Sequence, residues 1–157
     1  MAFDKAKEYL DKVGYGDRVK TFDVSSATVE LAAVAVGTEP AKIAKSLTFM
    51  VDVQPVMILC AGDTKIDNAK YKAFFHKKAK MLTRDEVNGL VGHDVGGVCP
   101  FGIKEGVDVY LDVSMKRFDY VYPACGSANS AVKLTPDELC KISGSKAWID
   151  VCKGYEE

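Results

Sequence analysis

The sequence predicts an α/β fold, with one domain over residues 1–157 built on a mixed, strongly curved, barrel-like β-sheet flanked by helices. Three observations carry that expectation. Apolar, β-branched runs at 46–53 and 56–61 flank Gln54-Pro55, a hairpin signal. Capped segments of helical period are interleaved with these and later strand-like runs. Hydrophobic residues make up 48% and charged residues 27%, a globular balance, and no repeat, linker or low-complexity stretch interrupts it.

In chain order, Phe3, Ala6, Tyr9, Leu10 and Val13 fall at helical spacing, with Gly14 placed to end the helix. A short strand is expected over 19–24. Ser25-Ser26 offer an N-cap to the apolar helix 29–36, whose small side chains suit burial against a sheet, and Gly37 stops it. Thr38-Glu39-Pro40 opens a helical turn that leads through Lys42, Ile43 and Lys45 into the first hairpin strand. Asp67 can cap a helix through Tyr71, Phe74 and Phe75. Thr83 to Glu86 is a capping box that delivers the chain to a glycine-rich loop. Strands are expected at 107–112, at 120–124 with Pro123 marking an edge, and at 130–134. A second capping box, Thr135 to Glu138, starts a helix ending near Gly144, and a last strand covers 147–151.

Composition excludes several function classes. A net charge of −1 argues against a domain that coats DNA, while leaving room for a local basic pocket. The lysines at 70, 72, 77, 78 and 80 read as a solvated helix face. Five cysteines without C-x-x-C spacing, and two histidines, imply no disulfide framework, no metal centre and no cofactor. No apolar run suggests a membrane span or a secretion signal, so a cytoplasmic location is expected.

Three places could carry chemistry. The first is the loop Gly92-His93-Asp94-Val95-Gly96-Gly97-Val98-Cys99-Pro100-Phe101-Gly102, too rich in glycine and proline for helix or strand. Such a loop can present consecutive N–H groups to an anion or to a carbonyl oxygen that becomes negative. The second is Lys45, at the threshold of an apolar strand, where its charge could reach over a crevice. The third is the turn Gly126-Ser127-Ala128-Asn129. Cys99 with His93 could be a thiol and its base, but no third group orients them, and His93 fits better as a hydrogen-bonding wall of a pocket. Neither phosphate-loop pattern is present.

The runs Ala44-Lys45-Ser46-Leu47-Thr48-Phe49, Gly92 to Gly102, and Ala124 to Asn129 followed by Leu134-Thr135-Pro136-Asp137-Glu138-Leu139 resemble the YbaK/EbsC family. This family comprises free-standing domains related to the editing insert of bacterial prolyl-tRNA synthetase, and the similarity runs from about Ser25 to the end. It implies a metal-independent aminoacyl-tRNA deacylase that edits in trans, acting on tRNA-Pro or a similar tRNA mischarged with a small amino acid. By resemblance, Lys45 holds the terminal nucleotide, and the backbone of Gly96, Gly97 and Val98 lies near the scissile carbonyl. Ser46, His93, Pro100, Gly126, Ser127 and Asn129 then line or support the pocket. The implied partners are the tRNA 3′ end, as aminoacyl-adenosine, and an aminoacyl-tRNA synthetase, with no DNA and no membrane. A binding module that keeps the pocket without turnover would carry the same residues.

Overall fold

A computed structural model describes residues 2–155. Helix α1 (Ala2–Lys12) is followed by strand β1 (Val19–Thr21), helix α2 (Val29–Val36) and the hairpin β2 (Ile43–Val51) and β3 (Gln54–Ala61). Next come β4 (Lys65–Ile66), α3 (Asn68–Phe75) and α4 (Arg84–Glu86), which continues as a π-turn over Val87–Val91. After the glycine loop the chain forms β5 (Asp108–Asp112), β6 (Tyr122–Pro123), β7 (Ser130–Val132), α5 (Pro136–Ile142), β8 (Trp148–Ile149) and β9 (Cys152–Lys153).

The main sheet has the order β6-β2-β3-β5-β8, in which only β2 and β3 run antiparallel. Two antiparallel ribbons, β1-β7 and β4-β9, flank it. This is the mixed α/β architecture expected. Strand β3 is an unbroken apolar run because both of its faces are covered. Met57, Leu59 and Ala61 pack with Leu10 of α1, Phe101 and Leu139 of α5, whereas Val56, Ile58 and Cys60 pack with Tyr71 of α3 and Val151.

Helix α1 buries Ala6 and Leu10, and its role goes beyond core filling. It lies directly on two glycines: a Cβ at Gly102 would stand 2.5 Å from the Lys5 carbonyl oxygen, and one at Gly126 would stand 2.6 Å from that of Ala2. Both glycines also have positive φ, +66° and +86°, so no other residue fits under the helix. The helix thereby fixes the far sides of the two loops singled out from the sequence.

Several local expectations are corrected. Thr28, not Ser25 or Ser26, caps α2, its side chain accepting from the Leu31 N–H. Only Ala32 and Ala33 of α2 are buried, while Leu31 and Val34 are exposed, because the helix meets the sheet on one narrow stripe. The hairpin turns at Asp52-Val53, with Asp52 at φ 57°, and Pro55 sits inside β3 opposite Met50, beyond the reach of β5. Lys45 lies within β2, paired with Cys60, rather than ahead of the strand. Strand β1 stops at Thr21, and β9 had no signal in the sequence. The caps at Asp67, Thr83 and Thr135 and the edge position of Pro123 are as expected.

Candidate functional site

The outer edge of β2 is paired in two places. Strand β6 covers Ile43 and Ala44, and the segment around Met81 covers Thr48 to Met50 through Leu82 N–H to Thr48 O (3.1 Å) and Met50 N–H to Lys80 O (2.8 Å). Between them the edge around Ser46 has no partner strand among the described residues. A gap in a sheet edge leaves main-chain donors and acceptors available to a ligand. A cleft of about 350 Å³ opens there.

The lining comes from six segments. Ala44 to Thr48 of β2 form the floor, and Ser26, Ala27, Thr28, Val29 and Ala32 close one side. Val95, Gly96 and Val98 of the glycine loop close another, and Met81, Leu82 and Val87, with Tyr122, Ala124, Ser130 and Ala131, complete it. Lys45 and the glycine loop therefore meet across one hollow. Small side chains dominate the walls, which suits a small acyl group.

Lys45 is half-buried and lines the cleft, and its Nζ donates to the Thr64 carbonyl oxygen with further N–H groups to offer. Two buried hydroxyls of lining residues, Ser26 Oγ and Ser46 Oγ, have no hydrogen-bond partner among the described residues. Unpaired buried hydroxyls cost free energy, and a ligand's polar atoms would relieve that cost.

The loop is fastened from three sides. Gly97 N–H donates to the Asp94 carbonyl (3.0 Å), and Gly97 O accepts from Gly126 N–H (3.0 Å). Gly97 sits so close to the 126–127 turn that a Cβ would lie 2.5 Å from Ser127 N. Its N–H faces into the loop's own turn, so of the three expected donors only Gly96 and Val98 border the cleft. Gly96 has φ +102°, a conformation in which side chains are strained, and a Cβ there would touch Ala27 Cβ at 3.4 Å.

His93, expected as a pocket wall, is fully buried beneath the loop. Its Nε2 lies 2.9 Å from the Phe101 carbonyl, bridging the loop's two ends, and burial lowers its pKa, so the ring is neutral and Nε2 carries the donated proton. Cys99 Sγ is 3.4 Å from His93 Nε2, but burial pushes the thiol up to about 12, which removes the thiolate a nucleophile needs. Pro100 is buried and does not line the cleft.

Gly126, Ser127 and Asn129 are also absent from the lining. They act one layer back. Ser127 Oγ donates to Asn129 Oδ1 (2.9 Å) and contacts Ser130 Oγ (2.7 Å), while Asn129 Nδ2 donates to Phe22 O (3.1 Å). The residue that reaches the cleft from this turn is Ser130. Ser26, Tyr122 and Ser130 carried no sequence signal as site residues, since each comes from a segment that only the fold brings to β2. Among the described residues no group of three or more His, Cys, Asp or Glu could hold a metal ion, and no helix is long and apolar enough to cross a membrane.

Comparisons with known proteins fit this geometry. The family described as "Aminoacyl-tRNA editing domain" matches residues 23–142. The uncharacterized protein YwhH of Bacillus subtilis is 55% identical over 157 residues, covering 99% of this chain and 100% of the relative. The proline–tRNA ligase of the same organism is 31% identical over 114 residues, 72% of this chain but only 19% of the ligase. A crystal structure described as a candidate trans-editing enzyme for prolyl tRNA synthetase superposes with a TM-score of 0.88 at 28% identity, covering 98% of both chains.

Proposed function

The chain belongs to the aminoacyl-tRNA editing domain family, and on that premise we propose that it is a deacylase that removes a small, wrongly attached amino acid from the 3′ adenosine of a tRNA, acting in trans. The observation that carries this reading is the shared cleft: a lysine and a bare stretch of glycine-loop backbone face one hollow with small walls.

In this reading Lys45, resting on the Thr64 carbonyl, binds the phosphate of the terminal adenosine. The amino-acid side chain occupies the space among Ala27, Ala32, Ala44 and Ala124, and Ser26 and Ser46 bond its polar atoms. Water adds to the ester carbonyl carbon, and the oxygen that becomes negative is held by the N–H groups of Gly96 and Val98. The carbon–oxygen bond to the ribose then breaks, the ribose oxygen takes up a proton, and the amino acid leaves. The cleft's ionisable side chains are Lys45 and Tyr122, so the catalysis asked of the protein is positioning and charge stabilisation.

Discrimination between amino acids that differ by one methylene would be worth only about 1–3 kcal/mol in such a pocket, which is why the wall residues decide the substrate. The chain spans about a fifth of the ligase it matches, so prolyl-tRNA synthetase enters this reading as a partner that supplies mischarged tRNA. The site is expected to work in the cytoplasm, where that tRNA is made.

The test is hydrolysis of a panel of mischarged tRNAs by the purified chain. Turnover on at least one tRNA bearing a small amino acid is expected. Tight binding of a non-hydrolysable aminoacyl-adenosine with no turnover on any member would identify a binding module instead.

A further inference from the structure

Two more hollows open beside the cleft, and Tyr122 is a wall of all three. The larger, about 540 Å³, joins the cleft over Tyr122 and Ala131 and is lined by Arg18, Lys20, Phe22, Tyr120, Lys133 and Glu138, among others. The other, about 400 Å³, continues past Tyr120 and Lys133 to Lys42 and Asp119.

The charges here do not cancel. Glu138 is taken up by Arg18 at 2.8 Å, whereas Lys20, Lys42 and Lys133 have no carboxylate partner among the described residues. Lys20 stands on β1 opposite Ala131, next to the saddle that leads into the cleft. Lys133 Nζ lies 4.2 Å above the Tyr120 ring, and Tyr120 as a whole is 42% exposed. All this sits on a chain whose net charge is −1, so the basic groove is a local feature and not a consequence of composition.

Cations without a carboxylate partner beside a half-exposed tyrosine match a single-stranded polynucleotide, which offers a phosphate at each step and a base to stack between them. We propose that this groove, from Tyr122 across Tyr120 and Lys133 to Lys20, holds the unpaired nucleotides that precede the terminal adenosine of tRNA, an inference that rests on the deacylase reading for which end of the RNA it receives. Phosphates lie on Lys20 and Lys133, a base stacks on Tyr120, and the chain turns over Tyr122 to place the adenosine ester in the cleft. The groove sets affinity and the cleft does the chemistry.

The experiment pairs a binding measurement with a turnover measurement. A fluorescein-labelled short RNA ending in CCA is titrated with the full chain at several salt concentrations, and hydrolysis of aminoacyl-adenosine and of mischarged tRNA is followed in parallel. Lys20→Ala/Lys133→Ala is expected to weaken RNA binding about tenfold and to lower the slope of log affinity against log salt by about 1.4. Tyr120→Ala is expected to weaken it about fivefold or more, and Lys133→Arg to keep wild-type binding. The double variant hydrolyses aminoacyl-adenosine at the wild-type rate while its KM for tRNA rises.

Wild-type affinity and salt slope in the double variant, or no binding of the RNA by the wild type, would overturn the groove even if turnover is intact. RNA binding that depends on these lysines, with neither ester hydrolysed by the wild type, would uphold the groove and sink the deacylase.

Discussion

Gly97→Ala separates the two jobs that a glycine-rich loop can have. At Gly97 the added methyl would lie 2.5 Å from Ser127 N and 2.7 Å from Gly126 C, both backbone atoms that cannot rotate away. Ordinary contact begins near 3.5 Å, so the loop and the 126–127 turn must part by about 1 Å. Gly126 cannot give, because α1 lies against its other side. The parting breaks the Gly126 N–H to Gly97 O bond, worth about 1 kcal/mol, and adds overpacking of about 1–3 kcal/mol. Against this, the unfolded chain loses freedom worth about 0.4–1 kcal/mol. The net expectation is a loss of about 1–3.5 kcal/mol. Urea unfolding reads this as a lowered midpoint at unchanged slope. An unchanged midpoint would mean that the loop and the turn are not pressed together, and the account of how the site is held would fall.

The remaining expectations are smaller or more specific. Gly96→Ala, which strains φ +102° and puts a methyl against Ala27, should cost about 1–2 kcal/mol of stability and also cut deacylation, read from kcat/KM on the best tRNA of the panel. Cys99→Ala should keep turnover near neutral pH within about twofold of wild type, since the thiol is pushed up to about 12 and supplies no thiolate; a loss of a hundredfold would restore the thiol mechanism. Glu138 is held down to about 2 by Arg18 first, with its bonds at Thr135 adding to this, so its contribution is full above the ordinary value of 4.5 and is lost as pH falls toward 2. Because Arg18 and Glu138 are partly exposed, that contribution is only about 1 kcal/mol. Glu138→Gln should lower the thermal midpoint at pH 7 by a few degrees, with the gap closing between pH 4.5 and 2; a gap constant with pH would assign the loss to packing.

Much of this arrangement was legible in the sequence because it is local. The caps at Asp67, Thr83 and Thr135, the glycine stops and the edge proline depend on a few neighbouring residues, and each appears where its pattern placed it. The cap of α2 was misread because Ser25, Ser26 and Thr28 are equally good cap residues, and only the direction of the incoming chain chooses among them. The site was legible at the level of segments. Lys45, Ser46 and the Gly96 loop are distinct in sequence and meet in space.

Which atoms of those segments face the cleft was not legible. His93 turns inward because an imidazole can bridge the loop to Phe101 O, and Gly97 turns inward because the loop must touch the 126–127 turn. Ser26, Tyr122 and Ser130 come to the cleft beside the unpaired stretch on the outer edge of β2, which the short β6 leaves uncovered.

In the proposed mechanism one cation grips the phosphate and one run of bare backbone grips the ester of the same aminoacyl-adenosine. The most direct measurement of that mechanism is single-turnover deacylation of the preferred mischarged tRNA by wild type, Lys45→Ala and Lys45→Arg. The account expects Lys45→Ala to lose about tenfold or more in kcat/KM, the size of one charge-assisted bond to phosphate. It expects Lys45→Arg to recover part of that loss, with all three proteins unfolding at similar urea concentrations. Turnover by Lys45→Ala equal to wild type would contradict it.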